Sequence, residues 1–497
     1  MIEAAFGVGS SIFAETTNRL SRIYSEADHV PQVAARFHEW QRFRGQTVAS
    51  PATEEPLFIH QTYLALLARL VARSFVAPRR PISNSEELLE VINVDYFSRR
   101  GIGNFGEGDV FSWPLIEKRW ELGLDDLILE TMQGLADTVA THDFSNASSG
   151  ILDSIYLQIG PAFGPVPRWL AEYAVEAELG MADDSGLSLV DPSCGTGTFL
   201  CAAVGAMSRA IEKTGGDQMD VLFDAPERIR GMDSDPLAVS FARLNYLLAL
   251  GDLVQELHPP FLMPVYLADP SSSAKFQPLA SVDDVVTITT TEGDFSLPAP
   301  VIENPLILDW VLGRLTNYMG GAQLRLHVQE EEVAIQEVLN AYYNYLTSPK
   351  PRTPVPEALT PQQADTLLET AKSLIQLHIR GEGTLWLHLV QNMAAPMFFA
   401  HRGFDRLTGR GSAAKLVTLG SSFLRTDGRA AVVLPAAEAE HYAKGHRLIT
   451  LNGLLPDAAL LVTGPEQRAH FESTGEPVSP DLSWADAQTS LRVVDDD

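Results

Sequence analysis

Cysteine is nearly missing from this chain, with two residues in 497, Cys194 and Cys201. Two thiols exclude a disulfide framework and a four-sulfur zinc site, so both read as small buried hydrophobes, no metal is expected, and a reducing cytoplasm fits. No run of about 18 uncharged apolar residues occurs, so no membrane span is expected. The opening MIEAAFGVGS has no basic stretch ahead of its apolar residues and does not read as a secretion signal. Positive charge is scarce too: 36 Lys and Arg stand against 64 Asp and Glu, and the formal charge of −28 repels phosphate. Any nucleic-acid path must then be a local basic surface. Arg42 with Arg44, Arg79 with Arg80 and Arg99 with Arg100 are the candidate pairs, and each reads first as solvated surface.

What is there centres on LSLVDPSCGTGTFLCAAV, residues 187–204. Leu187 to Val190 reads as a buried strand, and from Thr198 the residues Phe199, Leu200, Ala203 and Val204 recur at helical spacing. Gly195 and Gly197 form the hinge between them. A glycine-rich turn opening a helix lets backbone approach a ligand and aims free N–H groups at it. A P-loop would need Lys and Ser or Thr after the last glycine, and a dinucleotide fingerprint a third glycine three residues on; Gly197 is followed by Thr198, Phe199 and Leu200. What remains is Asp191, a carboxylate able to meet a cationic ligand, and a turn able to wrap a small carboxylate. S-adenosylmethionine carries both an ammonium and a carboxylate. The alternative is an ordinary strand-to-helix turn.

The same grammar recurs in RIRGMDSDPLAVSFARLNYLLALGDL, residues 228–253. A short strand ends in Asp233, and Asp235-Pro236 opens an amphipathic helix. An acid at the end of a second strand is where an α/β fold grips ribose hydroxyls. FLMPVYLADP then supplies a third strand, expected to end in Asp269. Ligands sit beyond the carboxyl ends of strands, so the three acids are expected to face one crevice.

DPSCGTGTFL, GMDSDPLAVSFARLNYLLAL and PVYLADP together resemble the cofactor site of adenine-N6 DNA methyltransferases, the group of type I modification subunits, type IIG enzymes and phage-defence methylases. The resemblance implies that Asp191, Pro192, Ser193, Cys194, Gly195, Gly197 and Phe199 hold the methionine end of S-adenosylmethionine. It places Asp233 and Ser234 at the ribose and Asp269 near the adenine amino group. GILDSIYLQIGPAFGPVPRWLAEYAVE, residues 150–176, resembles the helical lead-in, with Val166 before Pro167 where the family has Thr. Family members activate the adenine amine with Asn or Asp, two prolines and an aromatic residue immediately after the fourth strand. A side-chain oxygen and a proline carbonyl accept the amine's two hydrogens while the aromatic ring stacks on the flipped base.

That tetrapeptide is not in this sequence. HPPF, residues 258–261, reads as a loop entering the third strand, and in IENPLIL Asn304-Pro305 is followed by Leu306 and Ile307. The best positional match is RGFDRLTGRGSAAKL, where Phe404 and Asp405 lead to Gly409 and the motif is expected directly after Gly409; Arg410-Gly411-Ser412 stands there instead. Beyond it, a helix, a turn at Asp427-Gly428 and a fifth strand ending at Pro435 are again family-like. Either the motif has been lost, or a segment near residue 410 that the molecule possesses is absent from the sequence. The composition of RGSAAKL, that of residues flanking a flexible loop, favours the second.

The expected architecture is α/β, a Rossmann-like class I methyltransferase sheet with an N-terminal helical domain and a large helical insert. Its boundaries are 1–150 for the helical domain, 151–270 for the cofactor half, 271–398 for the insert and 399–440 for the catalytic half. Residues 441–497 read as a fragment of a recognition region or as the tail. Tyr342, Tyr343, Tyr345 and Trp386 in the insert read as helix-core packing before base stacking. The expected function is methyl transfer from S-adenosylmethionine to adenine N6 in DNA, serving restriction-modification or phage defence, with DNA and other defence subunits as partners. The alternative is a catalytically inactive pseudo-methyltransferase acting as a cofactor-binding or DNA-sensing subunit.

Overall fold

The structure is a computed structural model that describes residues 2–45, 51–78, 80–116, 119–160, 166–270, 284–302, 304–325, 330–349, 359–382, 384–451, 453–455, 457–474 and 478–496. Arg79, one of the basic candidates, lies outside the described residues.

A nine-stranded sheet organises the chain. Its strands are β1 (Leu189–Asp191), β2 (Ile229–Asp233), β3 (Val265–Leu267), β4 (Phe404–Arg410), β5 (Leu424–Pro435), β6 (His446–Thr450), β7 (Ala458–Thr463), β8 (Gln467–Ser473) and β9 (Leu491–Asp495). They lie in the order β9-β8-β6-β7-β5-β4-β1-β2-β3. β1 pairs in parallel with both β2 and β4, β2 with β3, and β4 with β5, while β7 runs antiparallel to β5 and β6. The chain thus builds outward from β1 to β3, leaves through the insert, and returns on the other side of β1. This reversal is the switch point at which doubly wound sheets bind ligands.

Residues alternate between two cores, as the period of a strand requires. Ile229 of β2 and Ala431 and Val433 of β5 join the large core that continues into the N-terminal helices and the insert. Met232, Val432 and Leu434 face a smaller core with Tyr266, Phe398, Phe399, Phe404 and Leu416. Five helices frame the site: α1 (Pro51–Val76), α2 (Thr198–Lys213), α3 (Pro236–Ala249), α4 (Leu385–Met393) and α5 (Ala413–Phe423). Helix α3 opens as its sequence predicts, with Pro236 in the first turn and the Asp235 side chain accepting from Ala238 N at 2.9 Å.

Around Asp427-Gly428 the chain does fold back within β5: the span from Leu424 to Arg429 opposes only Phe404 to Arg406 of β4, and a Cβ on Gly428 would lie 3.0 Å from the Arg425 carbonyl. Several expectations need correcting. Strand β3 stops at Leu267, leaving Asp269 two residues beyond it and exposed. Residues 441–497 supply β6 to β9 of the same sheet. The segment between β8 and β9 also docks on the helix Arg168–Tyr173, through Trp484 N to Glu172 at 2.7 Å and Arg168 N to the Pro480 carbonyl at 2.8 Å. The insert is mostly helical but carries a hairpin, Val285–Thr290 with Gly293–Pro298, whose turn residue Thr291 donates to buried Glu39. Tyr342 is buried with its hydroxyl on the Val311 carbonyl, and Trp386 is buried with its indole N–H on Glu382. Both pack as core.

Three parts of the chain meet at one buried polar node. The Arg243 guanidinium on α3 donates to the Val265 carbonyl at 3.0 Å, to Asn104 at 3.0 Å and to Asn392 at 2.8 Å. Asn392 on α4 in turn accepts from Leu267 N at 3.1 Å, and Asn104, in a left-handed conformation, donates to the Met263 carbonyl at 2.8 Å. Burial holds the Arg243 pKa down at about 10, so it remains charged at neutral pH and its donors stay committed. The turn-rich GIGNFGEGDVFSWP segment is therefore an anchor for the edge of the sheet. Arg243→Met would strip donors from three buried acceptors, and we expect it to lower unfolding stability by at least ~2 kcal/mol in a denaturant titration.

Candidate functional site

The turn after β1 is built on two carboxylates. Asp191 is fully buried; its Oδ1 accepts from Ser193 N at 3.0 Å, and its Oδ2 has no hydrogen-bond partner among the described residues. Asp233, at the end of β2, holds the turn from the other side: Oδ2 accepts from Gly195 N at 2.9 Å and Oδ1 from Asp235 N at 2.9 Å. One carboxylate thus fixes both the glycine turn and the start of α3.

The two glycines do different work. Both have positive φ, 53° at Gly195 and 87° at Gly197, which a side chain would strain. A Cβ on Gly195 would meet open space, whereas one on Gly197 would lie 3.2 Å from Ala242 of α3. Gly195 leaves room for a ligand; Gly197 lets two helices close.

Burial drives the electrostatics. It raises the Asp191 pKa to about 7, against the pull of the Ser193 N–H and reinforced by the negative charge of Asp233. Burial likewise raises Asp233, partly offset by the N–H groups of Asp235 and Gly195, and brings Asp235 to about 6. Lys415 lowers the Asp233 pKa and Arg44 that of Asp235 as lesser effects, whereas no cation is among the causes acting on Asp191.

The structure brings Asp191, Ser193, Gly195 and Asp233 together and leaves others of the expected set elsewhere. Pro192 is buried behind the turn, and Ser234 is half-buried beside Asp233. Phe199 is buried in the large core, as is Cys194, whose thiol burial pushes well above its ordinary pKa. Pro167 is buried at the start of the helix Arg168–Tyr173, and Asp269 lies exposed at the same end of the sheet.

Directly after β4, where the motif was expected, the residues of this sequence form a short turn. The strand runs through Arg410, Gly411 N pairs with the Val433 carbonyl at 3.2 Å, and Ser412 caps α5. Small residues that read as loop flanks are needed for a two-residue turn. A Cβ on Gly409 would lie 3.0 Å from Ser193 Oγ and 3.4 Å from Asp191 Oδ1, so β4 presses on the turn itself. Ser193 Oγ donates to the Arg410 carbonyl at 3.0 Å, and Glu438 accepts the Ala413 N–H at 2.6 Å. Phe404 is buried core, and Asp405 is a clamp: it accepts from Ser188 N and Oγ and from Arg425 Nη1 at 2.6 Å. Burial would raise the Asp405 pKa, but these hydrogen bonds outweigh it and hold the carboxyl below its ordinary value. Asn304 accepts from Leu306 N at 2.9 Å at the start of a helix, which accounts for IENPLIL.

Sequence reasoning missed Asn245. On α3 and buried, it donates to the Thr196 carbonyl at 2.9 Å and to Asp153 at 3.4 Å, and accepts from Gly150 N at 2.8 Å. It ties the lead-in segment to the turn, and only its position on the inner face of α3 could have flagged it. Most of the described basic candidates are engaged: Arg42 binds Glu39, Arg99 binds Glu90, and Arg100 donates to the Val76 carbonyl at 3.1 Å. Among the described residues there is no metal-binding cluster and no helix long and apolar enough to cross a membrane.

No family model and no curated protein matches this chain. Among solved structures, a complex of DrdV with DNA overlaps with a TM-score of 0.41 and 10% identity, covering 92% of this chain and 42% of that one. A nuclease-deletion mutant of the type ISP restriction-modification enzyme LlaGI with a DNA substrate mimic gives 0.40 and 9%, covering 98% and 37%. The chain therefore spans less than half the length of either. A type I restriction-modification methyltransferase subunit from Streptococcus thermophilus gives 0.34 and 10%, covering 96% and 90%.

Carboxyls raised above their unfolded values hold protons in the folded state that the unfolded chain releases, so their contribution weakens stability as pH rises from about 4 to about 7. Asp191→Asn mimics the protonated group. Thermal melts without ligand should show this variant more stable than the parent at pH 8, by up to about 4 kcal/mol, and the difference should vanish towards pH 4.

Proposed function

We propose that this chain is a methyltransferase-fold protein of the DNA-modification kind, binding S-adenosylmethionine at the turn between β1 and α2 but lacking the groups that activate adenine. It would then act as a cofactor-binding or DNA-sensing subunit in restriction-modification or phage defence. What supports the reading is a glycine turn with a buried carboxyl oxygen lacking a partner among the described residues, beside a short turn after β4 that holds no Asn, Asp or aromatic residue. Asp191 has a buried oxygen without a partner, suited to an ammonium, and the space before Gly195 suits a carboxylate met by backbone N–H groups. Asp233, already holding the turn, has lone pairs left for ribose hydroxyls.

S-adenosylmethionine supplies, when bound, an electrophilic methyl group on a sulfonium. This chain's own residues supply binding and orientation. Adenine N6 transfer would further need an acceptor for the amine hydrogens and a stacking ring directly after β4. Arg410, Gly411 and Ser412 offer neither an Asn or Asp nor an aromatic ring, and the hydrogen bond from Ser193 to the Arg410 carbonyl draws this turn against the cofactor loop.

Calorimetry with S-adenosylmethionine should show one site per chain, weakened at least about tenfold by Asp191→Ala or Asp233→Ala, the loss expected for a charge-assisted contact. Labelled methyl groups should not pass to adenine-containing duplex DNA. Absence of binding would refute the cofactor assignment, and transfer to adenine would refute the silent acceptor side.

A further inference from the structure

The HPPF stretch finds its place away from the cofactor turn. At the opposite end of β2 a cavity of about 220 Å³ opens between the helix Met219–Arg228, the segment Pro259–Leu262 and the start of the helix Pro305–Arg325. Arg230 and Tyr266 line it together with Pro226, Pro260 and Phe261, and Phe223 and Leu306 stand on its rim, 54% and 41% exposed. Arg230 and Asp233 are three residues apart along β2, about 10 Å at the rise of a strand, so this site is separate from the turn.

Its chemistry is specific. The Arg230 side chain is 4% exposed, yet its Nε has no hydrogen-bond partner among the described residues. Its one carboxylate, Glu227 at 3.0 Å, is shared with Arg402 at 3.2 Å. Arg228 lies close enough to Arg402 to lower its pKa, behind the larger effects of burial and of Arg230. Behind this wall three guanidinium groups, Arg228, Arg230 and Arg402, thus face two carboxylates, Glu227 and Asp224, the latter 3.6 Å from Arg228. Glu227 itself lines the cavity, and the remaining walls are aromatic, proline and leucine surfaces, which hold flat rings. Guanidinium groups favour planar carboxylate or phosphate partners.

We propose that this cavity is a second ligand site that takes a flat aromatic ring bearing one anionic group, with the ring between Phe261 and the prolines and the anion at Arg230, where it would compete with Glu227 for the guanidinium. A mononucleotide phosphate and an aromatic carboxylate share this chemistry. The site is independent of the cofactor reading.

Calorimetry on the full chain with adenosine 5′-monophosphate and with indole-3-acetate tests it, using adenosine and indole as neutral controls. At least one anion should saturate a single site, and its neutral counterpart should bind at least about tenfold more weakly, as should the anion to Arg230→Met. Phe223→Ser, on the exposed rim and harmless to the fold, should weaken binding several-fold while leaving S-adenosylmethionine affinity unchanged. The stronger anion identifies the source, phosphate or carboxylate. No saturable binding, equal binding of the neutral ring, displacement by S-adenosylmethionine, or indifference to Phe223→Ser would each overturn the assignment.

Discussion

The site depends on holding two carboxyl groups side by side, Asp191 fully buried and Asp233 half-buried. Asp191 and Asp233 end adjacent parallel strands, and each carboxylate in the interior costs free energy unless something compensates it. Backbone N–H groups of Ser193, Gly195 and Asp235 supply part of that compensation. They can do so only because the chain turns sharply through glycine between β1 and α2. The rest is left to a cation, and the unpartnered Asp191 oxygen is where it would sit. Such an arrangement is consistent with the proposed ligand, which carries a positive group.

The same constraint shapes the other half of the site. Because Asp191 and Ser193 are held in place, β4 can approach only with glycine at residue 409, and Ser193 then fastens the Arg410 carbonyl. The turn into α5 follows at once, capped by Ser412 and closed by Glu438. The glycine turn after β1 and the turn after β4 are therefore one packed unit. The Arg243 node supports it from behind by tying α3, β3, α4 and the N-terminal segment together.

Much of this was legible in the sequence where a local rule governs. Strand, glycine hinge and helix between 187 and 213, and the Asp235-Pro236 helix start, follow from periodicity and capping. What sequence could not show depends on contacts distant along the chain. Asn245 reads as one polar residue in an apolar helix, and its role appears only when Gly150 and Thr196 close on it. Arg243 is similar. The shape of the turn at 410–412 is not legible in the sequence because small residues serve both loop flanks and tight turns, and the pairing of Gly411 with Val433 sets it. Strands β6 to β9 carry weak alternation, and their place is set by the neighbours they pair with.

The central claim is that Asp191 meets a cationic ligand and gives up a proton to do so. The direct measurement is the proton count on binding S-adenosylmethionine at pH 6.5, from calorimetry in two buffers of different ionisation enthalpy. With a carboxyl of pKa about 7, the account predicts release of a substantial fraction of one proton, lost in Asp191→Asn. Binding with no proton released, or the same release from Asp191→Asn, would contradict it.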